Sequence, residues 1–175
     1  MENQKSAFST ALKYAIITSL AMFIFSIVMY ITGMYLNSTL NWLSYILLLA
    51  GLVFAVKDRR DKDLGGLISF GEGFKTGFLF CLITGAIGAV FGVIMMNVIA
   101  PDMIGEILKK AETDMINKGL PDAQIQVAME WTRKFMNPLW IAIWSLVFTI
   151  IFGSILSLIV AGIFKKENQQ LQPPQ

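Results

Sequence analysis

Residues 76–100 read TGFLFCLITGAIGAVFGVIMMNVIA, a run without one charged side chain. A bilayer core about 30 Å thick takes roughly 20 helical residues to cross, so this run predicts a membrane span. Outward from it the pattern recurs at residues 14–36, 40–56 and 139–164. None of the four runs carries Asp, Glu, Lys or Arg, which marks structural spans rather than proton or ion relays.

Composition agrees. The chain of 175 residues is 55% hydrophobic and 15% charged, against about 25% charged in a soluble domain, and its mean hydropathy is +0.64. A soluble globular domain and a disordered chain are excluded. Cys81 is the sole cysteine, so a disulfide scaffold is excluded as well. Histidine, the usual general base and commonest metal ligand, is absent. With no Walker or dinucleotide motif and no paired aspartates in a span, the expectation is no enzyme, no catalytic residue, no metal and no cofactor. The net charge of +2, with bases mixed among acids, gives no nucleic-acid partner. The expected fold class is an all-α integral membrane protein, one membrane domain over residues 1–175. It has four transmembrane helices, an inner loop at 57–75, an amphipathic helical hairpin at 101–137 on the outer side and a polar tail at 165–175.

Charge sets the expected orientation. Lys5, Lys13, Lys57, Arg59, Arg60, Lys62, Lys75, Lys165 and Lys166 fall on the side of the termini. Lys109, Lys110, Lys118, Arg133 and Lys134 fall on the other, among six acids. The positive-inside rule puts both termini in the cytoplasm. Trp42, Trp131, Trp140 and Trp144 then gather as an aromatic belt at the outer face. The first apolar run is too long for a signal-peptide core, and no small-residue cleavage site follows it. It reads as an uncleaved signal anchor.

Two spans carry ridges of small residues. Gly73, Gly77, Cys81, Gly85 and Ala89 recur every four residues, with Gly88 and Gly92 on a second track; Ser145, Thr149, Gly153, Ser157 and Ala161 recur every four in the last span. Such ridges let helix backbones approach closely in lipid, so they are expected to face each other or a second copy of the chain. Cys81 reads as a small packing residue.

The inner loop, Lys57-Asp58-Arg59-Arg60-Asp61-Lys62-Asp63, alternates in sign. It is either a solvated connector or a site for anionic headgroups, which juxtamembrane bases attract. Glu72 and Lys75 are neighbours on a helix. They are a helix start with a snorkelling lysine, or a polar entrance where Arg59, Arg60 and Lys75, with Glu72, hold a phosphate. In the outer hairpin Ile104, Ile107, Leu108, Ala111 and Met115 share one helical face, Gly119 and Pro121 make the turn, and Ile125, Ala128, Met129, Thr132, Phe135 and Met136 continue a face. It either caps the bundle or lies in the headgroups, or it is a docking surface for a partner or a lipid-linked substrate.

Residues 8–15 and 70–77 place aromatic, small, lysine and small residues at the same offsets. A 2+2 parallel repeat about the membrane normal explains this, as does chance likeness of helix starts.

The run Ile68-Ser69-Phe70-Gly71-Glu72-Gly73-Phe74-Lys75-Thr76-Gly77 before the third span, Pro101 opening an outer helical segment, and the close Ser157-Leu158-Ile159-Val160-Ala161 then Lys165-Lys166 carry a resemblance. The chain resembles the bacterial four-span membrane family called domain of unknown function 4199, over about Gln4 to Lys166. The resemblance implies a bacterial inner-membrane location and carries no activity of its own. It also implies an association with genes for polyprenyl-phosphate glycosyltransferases, which is not a mechanism. Two functions are open. The chain is a non-enzymatic accessory or scaffold subunit, in contact with membrane lipids and with a second copy or another membrane protein. Alternatively it is a carrier or flippase component for a lipid-linked polyprenyl-phosphate substrate.

Overall fold

The computed structural model describes residues 6–166. Lys5 and residues 167–175 of the expected tail lie outside them. Helix α1 spans Ala7–Ile31 and starts where Ser6 Oγ accepts a hydrogen bond from the Ser9 amide at 3.2 Å. Gly33, at φ 69°, breaks it, and a single 3₁₀ turn over Met34–Leu36 follows. Asn37 Oδ1 then accepts from the Thr39 amide at 3.0 Å and opens α2, Ser38–Asp58. That helix widens into a π-turn over Arg59–Asp63, closed by the Leu64 amide on the Arg59 carbonyl at 3.1 Å. Gly65 (φ 65°) and Gly66 (φ 91°) reverse the chain.

Ser69 Oγ accepts from the Glu72 amide at 3.2 Å and starts α3, Phe70–Ile94. A second π-turn covers Met95–Ile99. Then come α4 (Met103–Asn117), a turn at Gly119 with φ 72°, and α5 (Asp122–Phe135). Asn137 caps α6, Pro138–Phe164, by accepting from the Trp140 amide at 3.0 Å.

Helices α1, α2, α3 and α6 form the bundle, with α3 against the other three and closest to α6. Four segments built on them, Ala7–Ile31, Thr39–Asp63, Phe70–Ile99 and Pro138–Phe164, are long and apolar enough to cross a membrane. Their outer faces show why they need one. Ile16, Ile17, Leu20 and Ile24 of α1 and Ile151, Phe152, Ile155 and Ile159 of α6 are all exposed. A water-facing surface does not carry apolar patches of that extent. The chain is thus an all-α multi-pass membrane protein.

Several sequence-based boundaries move. The first helix runs 7–31 and not 14–36, the third starts at 70 and not 76, and the loop expected at 57–75 shortens to 64–69. The expected bounds stop at charged residues, yet the helices run on through them, with Lys13 paired to Asp58 and Arg59 to Asp63 and Glu72. The Ser69-x-x-Glu72 spacing is itself a capping signature.

The core cluster of Ala11, Ala15, Leu52, Ala55, Val56, Phe80, Cys81 and Val160 fills the half of the bundle nearer the termini. The half nearer the hairpin is looser. There Met95, Ala100 and Met103 cluster with Phe23, Ile27 and Tyr30. Packing does not follow the 2+2 echo: α3 and α6 are the tight pair, and α1 and α2 meet less closely. The caps also fall out of step, since Ser6 stands two residues before Phe8 and Ser69 one before Phe70.

Candidate functional site

The two small-residue ridges meet in an antiparallel seam, in steps of four. A Cβ added to Gly73 would stand 3.2 Å from Ala161 Cβ, and one on Gly77 2.8 Å from Ser157 Oγ. A Cβ on Gly153 would stand 2.5 Å from Cys81 Cβ, and one on Gly85 3.3 Å from Thr149 Cβ. At Gly77 and Gly153 contacts this tight leave no room for a side chain, while at Gly73 and Gly85 the facing residue would have to give way slightly. Cys81 Sγ lies 3.9 Å from Ser157 Oγ inside the seam, buried as a packing residue. The next step of the register is Ala89 with Ser145, and there the seam opens: Ala89 is half-buried and Ser145 exposed.

A charged cluster closes the end of the bundle that bears the termini. Arg59, 7% exposed, reaches Glu72 at 3.2 Å and Asp63 at 3.6 Å. Thr10 donates a hydrogen bond to the Asp63 carboxylate, and Lys13 pairs with Asp58 at 3.6 Å, as Lys62 also does. Arg60 pairs with Asp61 at 2.6 Å and lies 5.1 Å above the Phe164 ring. Backbone bonds between Ile68 and Lys166, both 2.9 Å, tie the end of α6 to the entry of α3. Ser9, Thr10, Lys13, Asp58, Lys62 and Asp63 line a recess of about 230 Å³ in which lysines and carboxylates balance.

The structure brings two residues of the expected phosphate entrance into contact. Arg59 and Glu72 do come together, but as partners of each other. Arg60 is turned to Asp61 and Phe164, and Lys75 is exposed and forms no ion pair among the described residues. An anion approaching Arg59 has to displace carboxylates already bound. The cluster is therefore a clasp joining α1, α2 and α3.

The hairpin half contains a cavity of about 310 Å³ between α1, α2, α3 and α6. Its walls include Met22, Phe23, Leu48, Phe91 and Met95, with Met103 of α4 at the hairpin end. Phe23 and Phe91 stack at 4.4 Å. Ser19, Ser26, Ser44, Thr84, Ser145 and Thr149 are also among its lining residues. Ser19 Oγ and Thr84 Oγ1 are buried without a hydrogen-bond partner; an unsatisfied buried hydroxyl costs about 1–3 kcal/mol. Gly88 and Gly92 line the space, and a Cβ on either would meet nothing within 4 Å. The second glycine track thus borders open volume, unlike the first.

Sequence reading did not single out Ser19 or Thr84. Hydroxyls in spans commonly bond the carbonyl four residues back, as Thr76, Thr149 and Ser154 do here. No local signal tells which ones do not. The floor of the cavity is the packed half, where a Cβ on Gly51 would crowd Thr18 and Phe80.

Hairpin α4–α5 is held to the bundle by Met103 and by the Tyr35 hydroxyl, which donates to the Glu106 carboxylate. Ile116, Val127, Trp131 and Phe135 remain exposed on it. Trp131 stacks near Phe135 at 6.2 Å, and Phe135 meets Trp140 of α6 edge-on at 6.2 Å.

No curated protein and no solved structure matches the chain. The family model described as Protein of unknown function (DUF4199) matches residues 13–166. That match takes in the ion pairs of the clasp, the α3–α6 seam, the cavity and the hairpin, and the chain belongs to the DUF4199 family.

Proposed function

We propose that this protein is a non-enzymatic accessory subunit of the bacterial inner membrane, a fixed helical hub that presents its hairpin to a membrane-protein partner. One observation carries the reading. The small-residue ridges are consumed within the chain, while α4–α5 leaves Ile116, Val127, Trp131 and Phe135 uncovered. Surface for association therefore lies on the hairpin and not on the ridges. The mutual pairing of Arg59, Asp63 and Glu72 also supports a structural role for the ionic groups. Cytoplasmic termini belong to the same proposal, supported by the bases gathered beside the clasp.

Site-specific photo-crosslinking in native membranes tests it. A photoreactive residue at Val127 or Trp131 is expected to give one discrete protein adduct, and one at Ile151 on the lipid face only lipid adducts. An adduct of twice the chain's mass means a second copy is the partner. Lipid adducts alone at all three positions overturn the reading.

The second reading, a carrier or flippase component for a polyprenyl-phosphate-linked substrate, is favoured by the cavity in the hairpin half. It requires the packed floor at Leu52, Phe80 and Ser157 to part. Recovery of polyprenyl phosphate with the purified protein, lost in Arg60→Glu, supports it; equal recovery from both counts against it.

A further inference from the structure

We propose that the ends of α2 and α6 form a binding site for the phosphate of one anionic lipid, held by Lys57, Arg60 and Lys166 in the leaflet on the side of the termini. The inference is independent of the partner assigned to the hairpin. Three features point to a lipid phosphate.

The first is charge. Lys57, Arg60 and Lys166 all act on one carboxylate, that of Asp61. Arg60 pairs with it at 2.6 Å, while Lys57 and Lys166 form no ion pair among the described residues. Asp61 offsets one of the three positive charges, and the C-terminal ends of α2 and α6 offset about half a charge each. A net positive charge remains. The neighbouring clasp does not cancel it, because there Lys13, Arg59 and Lys62 are matched by Asp58, Asp63 and Glu72.

The second feature is fixed placement. Arg60 lies 5.1 Å above the Phe164 ring, which sets the π-turn after α2 against the last turn of α6. The paired backbone bonds between Ile68 and Lys166 hold the main chain at Lys166. Arg60 meets Asp61 through Nε. The terminal nitrogens of the guanidinium bond no acceptor among the described residues, and a phosphate oxygen suits them.

The third is the lipid edge. Phe54, 56% exposed, stands one turn before Lys57 on α2, and Ile163, 72% exposed, precedes Lys166 at the end of α6. The bases therefore stand where the lipid-facing surface ends, at the level of headgroup phosphates. The ligand is a phosphate carried on an apolar chain, a chemistry shared by phosphatidylglycerol and by a polyprenyl phosphate.

Native mass spectrometry of the full chain tests the site and separates these sources. The detergent micelles carry phosphatidylcholine with an equal amount of either phosphatidylglycerol or undecaprenyl phosphate. One copy of an anionic lipid is expected to be retained in preference to phosphatidylcholine. The probe retained names the source, and retention of both means that the phosphate alone is recognised. Each juxtamembrane base adds about fivefold to such affinity, so Lys57→Gln with Lys166→Gln is expected to weaken retention about tenfold or more. Lys57→Arg with Lys166→Arg is expected to keep it. Both side chains are exposed, so each pair of substitutions is expected to leave Tm unchanged. Lys75→Gln removes an exposed base of the same end and is expected to retain lipid as wild type does. Phosphatidylcholine retained as well as both anionic probes overturns the proposal, as does undiminished retention in the glutamine pair. A loss in Lys75→Gln as large as in that pair also overturns it, because the bases then act as a diffuse patch and not as a site.

Discussion

Gly77 of α3 lies so close to Ser157 of α6 that a Cβ on the glycine would stand 2.8 Å from the serine hydroxyl oxygen. Gly88, eleven residues on in the same helix, has nothing within 4 Å of such an atom. One residue type thus serves two opposite ends: close approach at the seam and open space at the cavity.

The first prediction follows from that contrast. Gly77→Val is expected to destabilise the bundle by about 1–3 kcal/mol, the usual penalty of overpacking, whereas Gly88→Ala is expected to change stability by no more than about 0.5 kcal/mol. Maleimide labelling of Cys81 reads the result. The thiol is 1% exposed and is expected to stay unlabelled in wild type and in Gly88→Ala, and to label in Gly77→Val as the seam loosens. Equal labelling of the two variants would contradict the seam geometry.

Arg59 gives the second. Its removal leaves Asp63, and in part Glu72, without a counter-charge at 3.6 and 3.2 Å. Breaking a fully buried pair costs about 3–5 kcal/mol, and the cost here falls below that because the Glu72 side chain is 38% exposed. Arg59→Met is expected to lower Tm clearly. The exchange Arg59→Glu with Glu72→Arg is expected to recover part of the loss, since Asp63 then faces a like charge. Full tolerance of Arg59→Met would mean that the clasp contributes nothing.

The spans and the seam were legible because both rest on periodicity. Uncharged runs mark the spans, and small residues every fourth position mark the two faces that meet, though not the register that sets Gly73 against Ala161 and Gly77 against Ser157. Helix ends were misread because Lys57 to Asp63 looks like a solvated loop until Thr10, Lys13 and Glu72 are brought to it from other helices. The cavity has no sequence signature for the same reason. It is a space bounded by four helices, and the sequence sets Gly88 on a second track without telling that this track borders open volume.

The third prediction concerns the hairpin. The Tyr35 hydroxyl donates to the Glu106 carboxylate and ties α4 to the turn after α1. A hydrogen bond to a charged group contributes about 1.5–3 kcal/mol. Tyr35→Phe is expected to speed amide exchange severalfold over residues 104–108 while leaving exchange across the α3–α6 seam unchanged. Uniform acceleration through the bundle would show that the bond stabilises the whole fold and not the hairpin alone.

The fourth tests orientation with the clasp as reference. Lys62 and Lys118 are both outside the apolar cores of the spans, one beside the termini and one at the hairpin turn. In a Cys81→Ser background, Lys62→Cys and Lys118→Cys each carry one exposed thiol. Intact cells treated with a membrane-impermeant maleimide are expected to label Lys118→Cys and spare Lys62→Cys, which labels only after lysis. The physical ground is the charge balance: bases exceed acids beside the termini, while the hairpin carries Asp102, Glu106, Glu112, Asp114, Asp122 and Glu130 against five bases. Labelling of Lys62→Cys in intact cells would invert the topology, and the hairpin with its uncovered Val127 and Trp131 would then seek its partner in the cytoplasm.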